Sequence, residues 1–177
     1  MPSSATSAVM FGIRTLTGDA SPDNEGGFRP VSIYFPKGSI VNPYFPAPVA
    51  SRSVSLRRVV DVILGVLSKA LPQKYPAANC GQASVIYCGT TNELNNETIV
   101  GAIGGPWMGG MGARPNKDGI DATDHDASNV YHVPLEVSEA ELPIRFNRME
   151  LWMDSGGAGK WRGGLGFYSE VEWLKGK

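Results

Sequence analysis

The sequence predicts an α+β fold with mainly antiparallel sheets. Runs with the two-residue alternation of strands follow one another along the chain, whereas one long segment has the periodicity of an amphipathic helix. The 177 residues are 42% hydrophobic and 19% charged, which is the balance of a globular protein. The 22 glycines and 13 prolines indicate many turns between short elements. Since no repeat or linker divides the chain, we expect a single domain over residues 1–177.

The N-terminal part predicts a short helix followed by a strand. Apolar residues recur at helical spacing over 5–17, and Gly18 supplies a stop signal. Over 31–35 apolar and polar residues alternate, which is typical of a half-buried strand, and Pro36 ends the run. The proline-rich stretch that follows has little room for a helix.

The clearest element is a helix over about 56–71. Its apolar positions form one stripe: Leu56, Val59, Val60, Ile63, Leu67 and Leu71. Ser53 or Ser55 can cap its start, and prolines follow its end. Gly65 in its middle suggests close packing against another element. We interpret this helix as part of the core, with no chemical role.

Four strands are predicted after this helix. The runs 80–89 and 97–103 form a hairpin with a long polar loop, and 144–153 and 167–174 form another pair. Cys80 and Cys88 fall in the first of these strands. At about 3.3 Å per residue they would lie roughly 26 Å apart, too far for a disulfide. We therefore expect two free thiols.

Charge and terminal sequence exclude several function classes. The formal net charge of −1 provides no excess of basic residues to neutralise phosphates, so nucleic-acid binding is not expected. No apolar run reaches the roughly 18 residues of a membrane-spanning helix, and the N-terminus lacks the pattern of a secretory signal. We expect a cytoplasmic protein. Both ends stop abruptly, which suggests a fragment of a larger fold.

Two glycine-rich loops are the most distinctive motifs. The first, 104–114, and the second, 154–166, can form either the wall of a binding pocket or tight structural turns. The second is not a phosphate-binding P-loop, because Asp154 and Trp161 occupy positions that require Gly and Ser or Thr. Its successive glycine amides can still form an anion-binding nest.

An acidic stretch, 118–143, contains seven carboxylates and no Lys or Arg. Crowded carboxylates can raise one another's pKa toward that of a general base, which makes Asp118, Asp121 and His125 the catalytic candidates. The alternative is a solvated acidic loop. Neither the EF-hand spacing nor a zinc motif occurs, so we assign no metal site.

Five segments, taken in order, resemble the hydantoinase B/oxoprolinase family. They are NEGGFRPV (24–31), PKGSIVNPYFPAPV (36–49), GGMGARPNKDGID (109–121), VPLEVSEAELP (133–143) and DSGGAGKWRGGLG (154–166). The resemblance is to the later part of a B-type subunit that is normally several hundred residues long.

The resemblance implies a role in ATP-dependent ring opening of cyclic amides, as in 5-oxoprolinases and N-methylhydantoinases. An A-type subunit or fused domain would use the ATP, so this chain would bind no nucleotide itself. The family's metal-associated stretch belongs to the earlier half, which has no counterpart here, and the isolated fragment is therefore not expected to be active. Two alternatives remain: a subunit of an ATP-dependent ketone carboxylase, and a non-catalytic docking module.

We further expect the two glycine-rich loops to face one cavity. Backbone amides and Arg114 or Arg162 would there receive an anionic group of the substrate, with Asp118 or Asp121 at the rim. The expected substrate-binding residues are Gly109, Gly110, Gly112, Arg114, Gly156, Gly157 and Arg162. In the alternative, Arg114 pairs with the acids that follow it and Arg162 pairs with Asp154.

Overall fold

The structure, a computed structural model, describes residues 1–18, 24–81, 84–91 and 96–174. These residues contain four helices and two antiparallel two-stranded sheets, which confirms the α+β class. The chain divides into two compact units, Met1–Tyr75 and Pro76–Lys177. Among the described helices, none combines the length and apolar character needed to cross a membrane.

The first unit contains three helices: α1 (Pro2–Thr17), α2 (Glu25–Phe28) and α3 (Arg52–Ala70). Helix α1 ends at Gly18, as predicted, and α3 confirms the predicted long helix with an earlier start. The residue that precedes α3 is Ser51, and its side chain makes no capping hydrogen bond. The prediction that Ser53 or Ser55 caps this helix is therefore wrong, because both lie inside it.

Helices α1 and α3 pack against each other through small residues of α1. Ala5 and Ala8 are buried in α1, and Val60 is buried in α3. A Cβ on Gly12 would overlap the side chain of Ile63, so the close approach occurs at that glycine. The predicted close packing at Gly65 is wrong, since a Cβ there would meet nothing within 4 Å.

Residues 31–35 keep the predicted alternation of burial but form no strand. Val31, Ile33 and Phe35 are half-buried, whereas the two residues between them are exposed. A strand requires a hydrogen-bonded partner, and within the described residues none pairs with this run. The prediction of a strand here is wrong. Alternation of apolar and polar residues indicates that one side of the segment is buried, but it does not indicate whether another strand pairs with the segment.

The second unit contains the sheets. Strands β1 (Ser84–Thr91) and β2 (Thr98–Trp107) form one antiparallel pair, and β3 (Ile144–Leu151) and β4 (Phe167–Trp173) form the other. All four predicted strands are thus present, with β2 extended to Trp107. Cys80 lies before β1 and not within it, which corrects its predicted place. Both cysteines are thiols outside any disulfide, as expected.

The core of the second unit joins the sheets to a short helix that the sequence did not predict, α4 (Leu135–Glu141). Ile103 of β2, Leu142 after α4 and Ile144 of β3 are buried together. Partly buried side chains surround them: Cys88, Ile99, Phe146 and Val171. This core fixes the chain on both sides of the two glycine-rich loops.

Candidate functional site

The two glycine-rich loops lie side by side in the second unit. The Gly164 amide donates to the Met111 carbonyl (2.8 Å), and the Met111 amide donates to the Ile120 carbonyl (2.9 Å). The first loop is shorter than the sequence suggested, because residues 104–107 belong to β2. The expectation that the loops are neighbours is confirmed.

The backbones cross at the distance that only glycine permits. A Cβ on Gly110 would overlap the Gly164 carbonyl, and a Cβ on Gly164 would overlap the Ile120 carbonyl. Such contacts between backbone atoms cannot be relieved by moving a flexible side chain. Glycine at these positions is therefore required by the fold of the loops themselves.

The loops line an open cavity of about 510 Å³, within the usual range for small-molecule sites. Apart from Met111 and Trp161, the described lining residues are small: Ala77, Ala78, Asn79, Cys80, Gly109, Gly110, Gly112, Ala113, Ser155, Gly157, Ala158, Gly159, Gly163, Gly164 and Gly166. No charged side chain is present in that set. The cavity therefore presents mostly backbone and apolar surface.

The segment 77–80 forms one wall of the cavity and was not predicted. The Ala77 amide donates to the Ala113 carbonyl (2.8 Å), and the Cys80 amide donates to the Gly110 carbonyl (3.1 Å). Trp161 also lines the cavity, although its place in the sequence indicated only a departure from the P-loop motif. The residues of segment 77–80 and Trp161 are small or aromatic and carry no charge, so their types and spacing do not indicate a site.

The expected substrate-binding residues divide into two groups. Gly109, Gly110, Gly112 and Gly157 line the cavity. Gly156, Arg114 and Arg162 are not among the described residues that line it. The binding role of all seven stays a prediction.

Both arginines bind groups of the neighbouring loops. Arg114 donates from Nε (3.0 Å) and Nη2 (2.7 Å) to the backbone carbonyl of Asp118. Arg162 pairs through Nη1 with Asp121 Oδ1 at 3.0 Å, and not with Asp154 across its own loop. Both pairings of the sequence alternative are therefore wrong. Arg114 binds a backbone carbonyl and not a carboxylate, and Arg162 pairs with Asp121 and not with Asp154.

Asp121 is the centre of this network. Its Oδ1 accepts hydrogen bonds from the Leu165 amide (2.7 Å) and from Arg162 Nη1 (3.0 Å). The amide hydrogen bond from Leu165, followed by the hydrogen bond from Arg162, lowers the pKa of Asp121. The hydrogen bond to Asp121 likewise raises the pKa of Arg162. A carboxylate held in this way is a weaker base than a free one.

The other catalytic candidates lie in hydrogen-bonded turns. Asp118 Oδ1 accepts the Arg162 amide at 2.7 Å. His125 is only 1% exposed, and its Nδ1 accepts the Ala127 amide at 3.1 Å, which places a proton of the neutral ring on Nε2. Asp118, Asp121 and His125 are absent from the described cavity lining, and their catalytic role stays a prediction.

The remaining acidic stretch also serves local structure. Asp124 accepts the amides of His125 and Val130, Asp126 accepts Asn79 Nδ2, and Glu139 accepts the Phe146 amide. Across residues 1–18, 24–81, 84–91 and 96–174, no three His, Cys, Asp or Glu side chains are grouped so that they could hold a metal ion. These carboxylates therefore act as acceptors for backbone and side-chain donors.

The described lining of the cavity is uncharged. Burying a carboxylate without a paired cation costs several kcal/mol, and the described lining offers no cation. Glycine backbone, in contrast, allows close approach along an extended surface, and Trp161 adds an aromatic face.

Comparison with known proteins gives consistent matches over nearly the whole chain. The family model described as hydantoinase B/oxoprolinase matches residues 1–177. The chain is 35% identical over 172 residues to a protein provisionally named as the B-type subunit of a D-/L-hydantoinase from Pseudomonas sp. (strain NS671). That match covers 94% of this chain and 28% of the relative. A 5-oxoprolinase of Dictyostelium discoideum is 30% identical over 176 residues, which cover 98% of this chain and 13% of the relative.

One solved structure has the same fold. The nucleotide-free acetone carboxylase structure matches with a TM-score of 0.65 and 22% identity, over 97% of this chain and 23% of that chain. The chain thus spans less than a third of the length of each of these proteins.

Proposed function

Because the chain belongs to the hydantoinase B/oxoprolinase family, we propose that it is part of the B-type subunit of an ATP-dependent cyclic amidohydrolase. The proposed reaction is the opening of 5-oxoproline or of a hydantoin ring. The chain acts in the cytoplasm together with an A-type subunit or domain that uses the ATP. One relative is itself named as one subunit of a hydantoinase, which supports the existence of such a partner.

The cavity between the two glycine-rich loops carries this proposal. It is large enough for a small substrate, and its uncharged lining fits the cyclic amide group that 5-oxoproline and hydantoins have in common. The carboxylate of 5-oxoproline would stay at the rim of the cavity. Lys160 could pair with it there, because Lys160 is exposed and its two sequence neighbours, Gly159 and Trp161, line the cavity. The ring would enter, and the charged group would remain solvated.

We propose that nucleotide and metal are bound outside this chain. The second loop lacks the P-loop pattern, and the described lining provides no cation for a polyphosphate. Asp118 and Asp121 accept hydrogen bonds from backbone amides, so these carboxylates are engaged already. We therefore assign ATP to the A-type partner and derive no metal-dependent step from this chain.

In the proposed mechanism this chain holds the ring while its amide is activated and cleaved. The partner transfers the terminal phosphoryl group of ATP to the amide oxygen, which makes the ring carbon more electrophilic. Water adds at that carbon, and the carbon–nitrogen bond breaks with protonation of the nitrogen, which leaves an acyl phosphate. A second water hydrolyses this acyl phosphate to the carboxylate and inorganic phosphate. The glycine-rich walls confine the activated ring and limit access of competing nucleophiles.

The test uses the full polypeptide that contains this chain, together with its A-type subunit. Each of 5-oxoproline, hydantoin and acetone with bicarbonate is supplied with and without ATP, and both phosphate and organic product are measured. We expect glutamate or an N-carbamoyl amino acid, formed only when ATP and both subunits are present.

Two results would contradict the proposal. Formation of acetoacetate from acetone and bicarbonate, without ring opening, would identify a ketone carboxylase, which the fold of acetone carboxylase makes the second candidate. Stable association with the A-type subunit, without turnover of any of these substrates, would identify a docking module.

A further inference from the structure

The glycines that line the cavity differ in what the fold requires of them. At Gly110, Gly112 and Gly164 a Cβ would overlap a backbone carbonyl, so packing alone explains the glycine. At Gly157 a Cβ would meet nothing within 4 Å. Gly157 is also not among the glycines with positive φ, so its backbone conformation is open to other residues.

The position of Gly157 is nevertheless fixed by its neighbours. Its carbonyl accepts the Gly163 amide at 2.9 Å, which joins the two limbs of the second loop. A glycine in a loop costs more conformational entropy on folding than an alanine. Neither packing nor backbone strain compensates for that cost at Gly157, although the residue lines the cavity.

We propose that Gly157 is a specificity-determining residue, whose missing side chain leaves room for the ring of a cyclic amide in the cavity. This inference rests on the proposed function, since that function supplies the ligand class. The ring lies along the backbone of the second loop, in a cavity to which Trp161 contributes an aromatic surface. A Cβ at 157 would meet no other protein atom within 4 Å, so a side chain would extend into open space from the wall of the cavity without disturbing the loop.

The first experiment measures substrate selection. Gly157→Ala and Gly157→Val are compared with Gly65→Ala, another glycine whose Cβ would meet nothing within 4 Å but which lies in α3. We expect both Gly157 variants to melt at the wild-type temperature or slightly above it, because a side chain reduces the conformational entropy of the unfolded chain. Gly157→Val should raise KM for hydantoin by about tenfold or more, because pocket shape discriminates single carbon atoms at this level. For hydantoins with a bulky 5-substituent, Gly157→Val should raise KM by a larger factor. Gly65→Ala should have the wild-type KM for each hydantoin.

The second experiment locates the ligand without relying on turnover. Cys80 lines the cavity, whereas Cys88 lies in β1 with its Sγ 3.6 Å from the Gly101 carbonyl oxygen. Alkylation of each thiol by iodoacetamide is followed by mass spectrometry while hydantoin is added. We expect hydantoin to slow alkylation of Cys80 but not of Cys88 in the wild type and in Gly65→Ala. In Gly157→Val the protection should be lost.

The outcomes separate this inference from the proposed function. Protection of Cys80 that disappears in Gly157→Val supports the inference even if no ring opening is found. Ring opening with the same KM and the same protection in Gly157→Val would overturn it, while the proposed function would stand. Absence of protection in the wild type would also overturn it. If Gly157→Val fails to fold, Gly157→Ala decides by the same two measurements.

Discussion

Asp121 shows how a conspicuous acidic residue can have a structural role. Its Oδ1 accepts one hydrogen bond from the Leu165 amide and one from Arg162, so the carboxylate connects the acidic stretch with the second glycine-rich loop. The charge count along 118–143 could predict neither partner, because both lie more than forty positions away. The residue types predicted only that these carboxylates would accept hydrogen bonds.

We predict that Asp121 makes the stability of the chain dependent on acidic pH. Its pKa is lower in the folded chain than in the unfolded chain, because the Leu165 amide and Arg162 stabilise the carboxylate. As the pH falls below about 4, the unfolded chain takes up a proton first, and the stability contributed by Asp121 is lost as the pH approaches the folded-state pKa. Above that range the contribution is complete.

The measurement is the melting temperature of the wild type and of Asp121→Asn between about pH 7 and pH 3. Asp121→Asn should melt at a lower temperature near neutral pH, and the difference should shrink in acid. Glu150→Gln, which alters an exposed carboxylate paired with Arg148, serves as the control and should show a smaller change. A constant difference between wild type and Asp121→Asn across this range would refute the prediction.

The packing of α1 on α3 provides a matched pair of glycine substitutions. Both Gly12→Ala and Gly65→Ala replace a glycine within a helix, so both gain about 1 kcal/mol of helix propensity. Only Gly12 lies against another side chain, that of Ile63. The added methyl group at Gly12 should cost about 1–3 kcal/mol of overpacking, whereas at Gly65 it enters open space.

Equilibrium unfolding in urea gives the two free energies. We expect Gly65→Ala to be more stable than the wild type by about 1 kcal/mol. Gly12→Ala should be less stable than Gly65→Ala by about 1–3 kcal/mol, the overpacking contribution alone. Equal stabilities of the two variants would show that α1 and α3 are not in close contact at Gly12.

Elements with their own periodicity were predictable, and those defined by distant partners were not. The apolar stripe of α3 and the β3–β4 pair follow from local patterns, and the structure confirms both. The alternation at 31–35 is just as regular, but no described strand pairs with it. Helix α4 was missed because it is short, with seven residues, and begins after Pro134 without a capping side chain.

At the scale of the whole chain, the candidate site is assembled from segments far apart in sequence. Residues near 77–80, 109–113 and 155–166 meet in one cavity of the second unit. The density of glycines predicted a close approach of the backbone to a ligand or to another backbone, and the expectation of one shared cavity placed the two loops side by side. They could not predict the third wall or the partners of the arginines, which depend on the packed fold.

Exposed aromatic residues lead to a prediction about association. Tyr34 is 84% exposed and Tyr131 83% exposed, while each sheet has only two strands within the described residues. Two-stranded sheets leave strand edges unpaired, and exposed aromatic surface favours contact with another chain. We therefore expect the 177-residue chain to self-associate in solution, and the double variant Tyr34→Ser/Tyr131→Ser to do so less.

Sedimentation velocity at increasing protein concentration measures this association. Tyr75→Ser, in which the same substitution is made at a buried tyrosine, is the control for the effect of exposure. Tyr75 is only 6% exposed, and its hydroxyl lies 3.0 Å from Thr15 Oγ1. Loss of this buried ring should lower the melting temperature by several degrees, because burial of a large aromatic side chain contributes about 3 kcal/mol or more. The double variant should keep the wild-type melting temperature, since its two side chains are mostly in solvent. A wild-type chain that sediments as a monomer at all concentrations would show that the exposed tyrosines do not drive association.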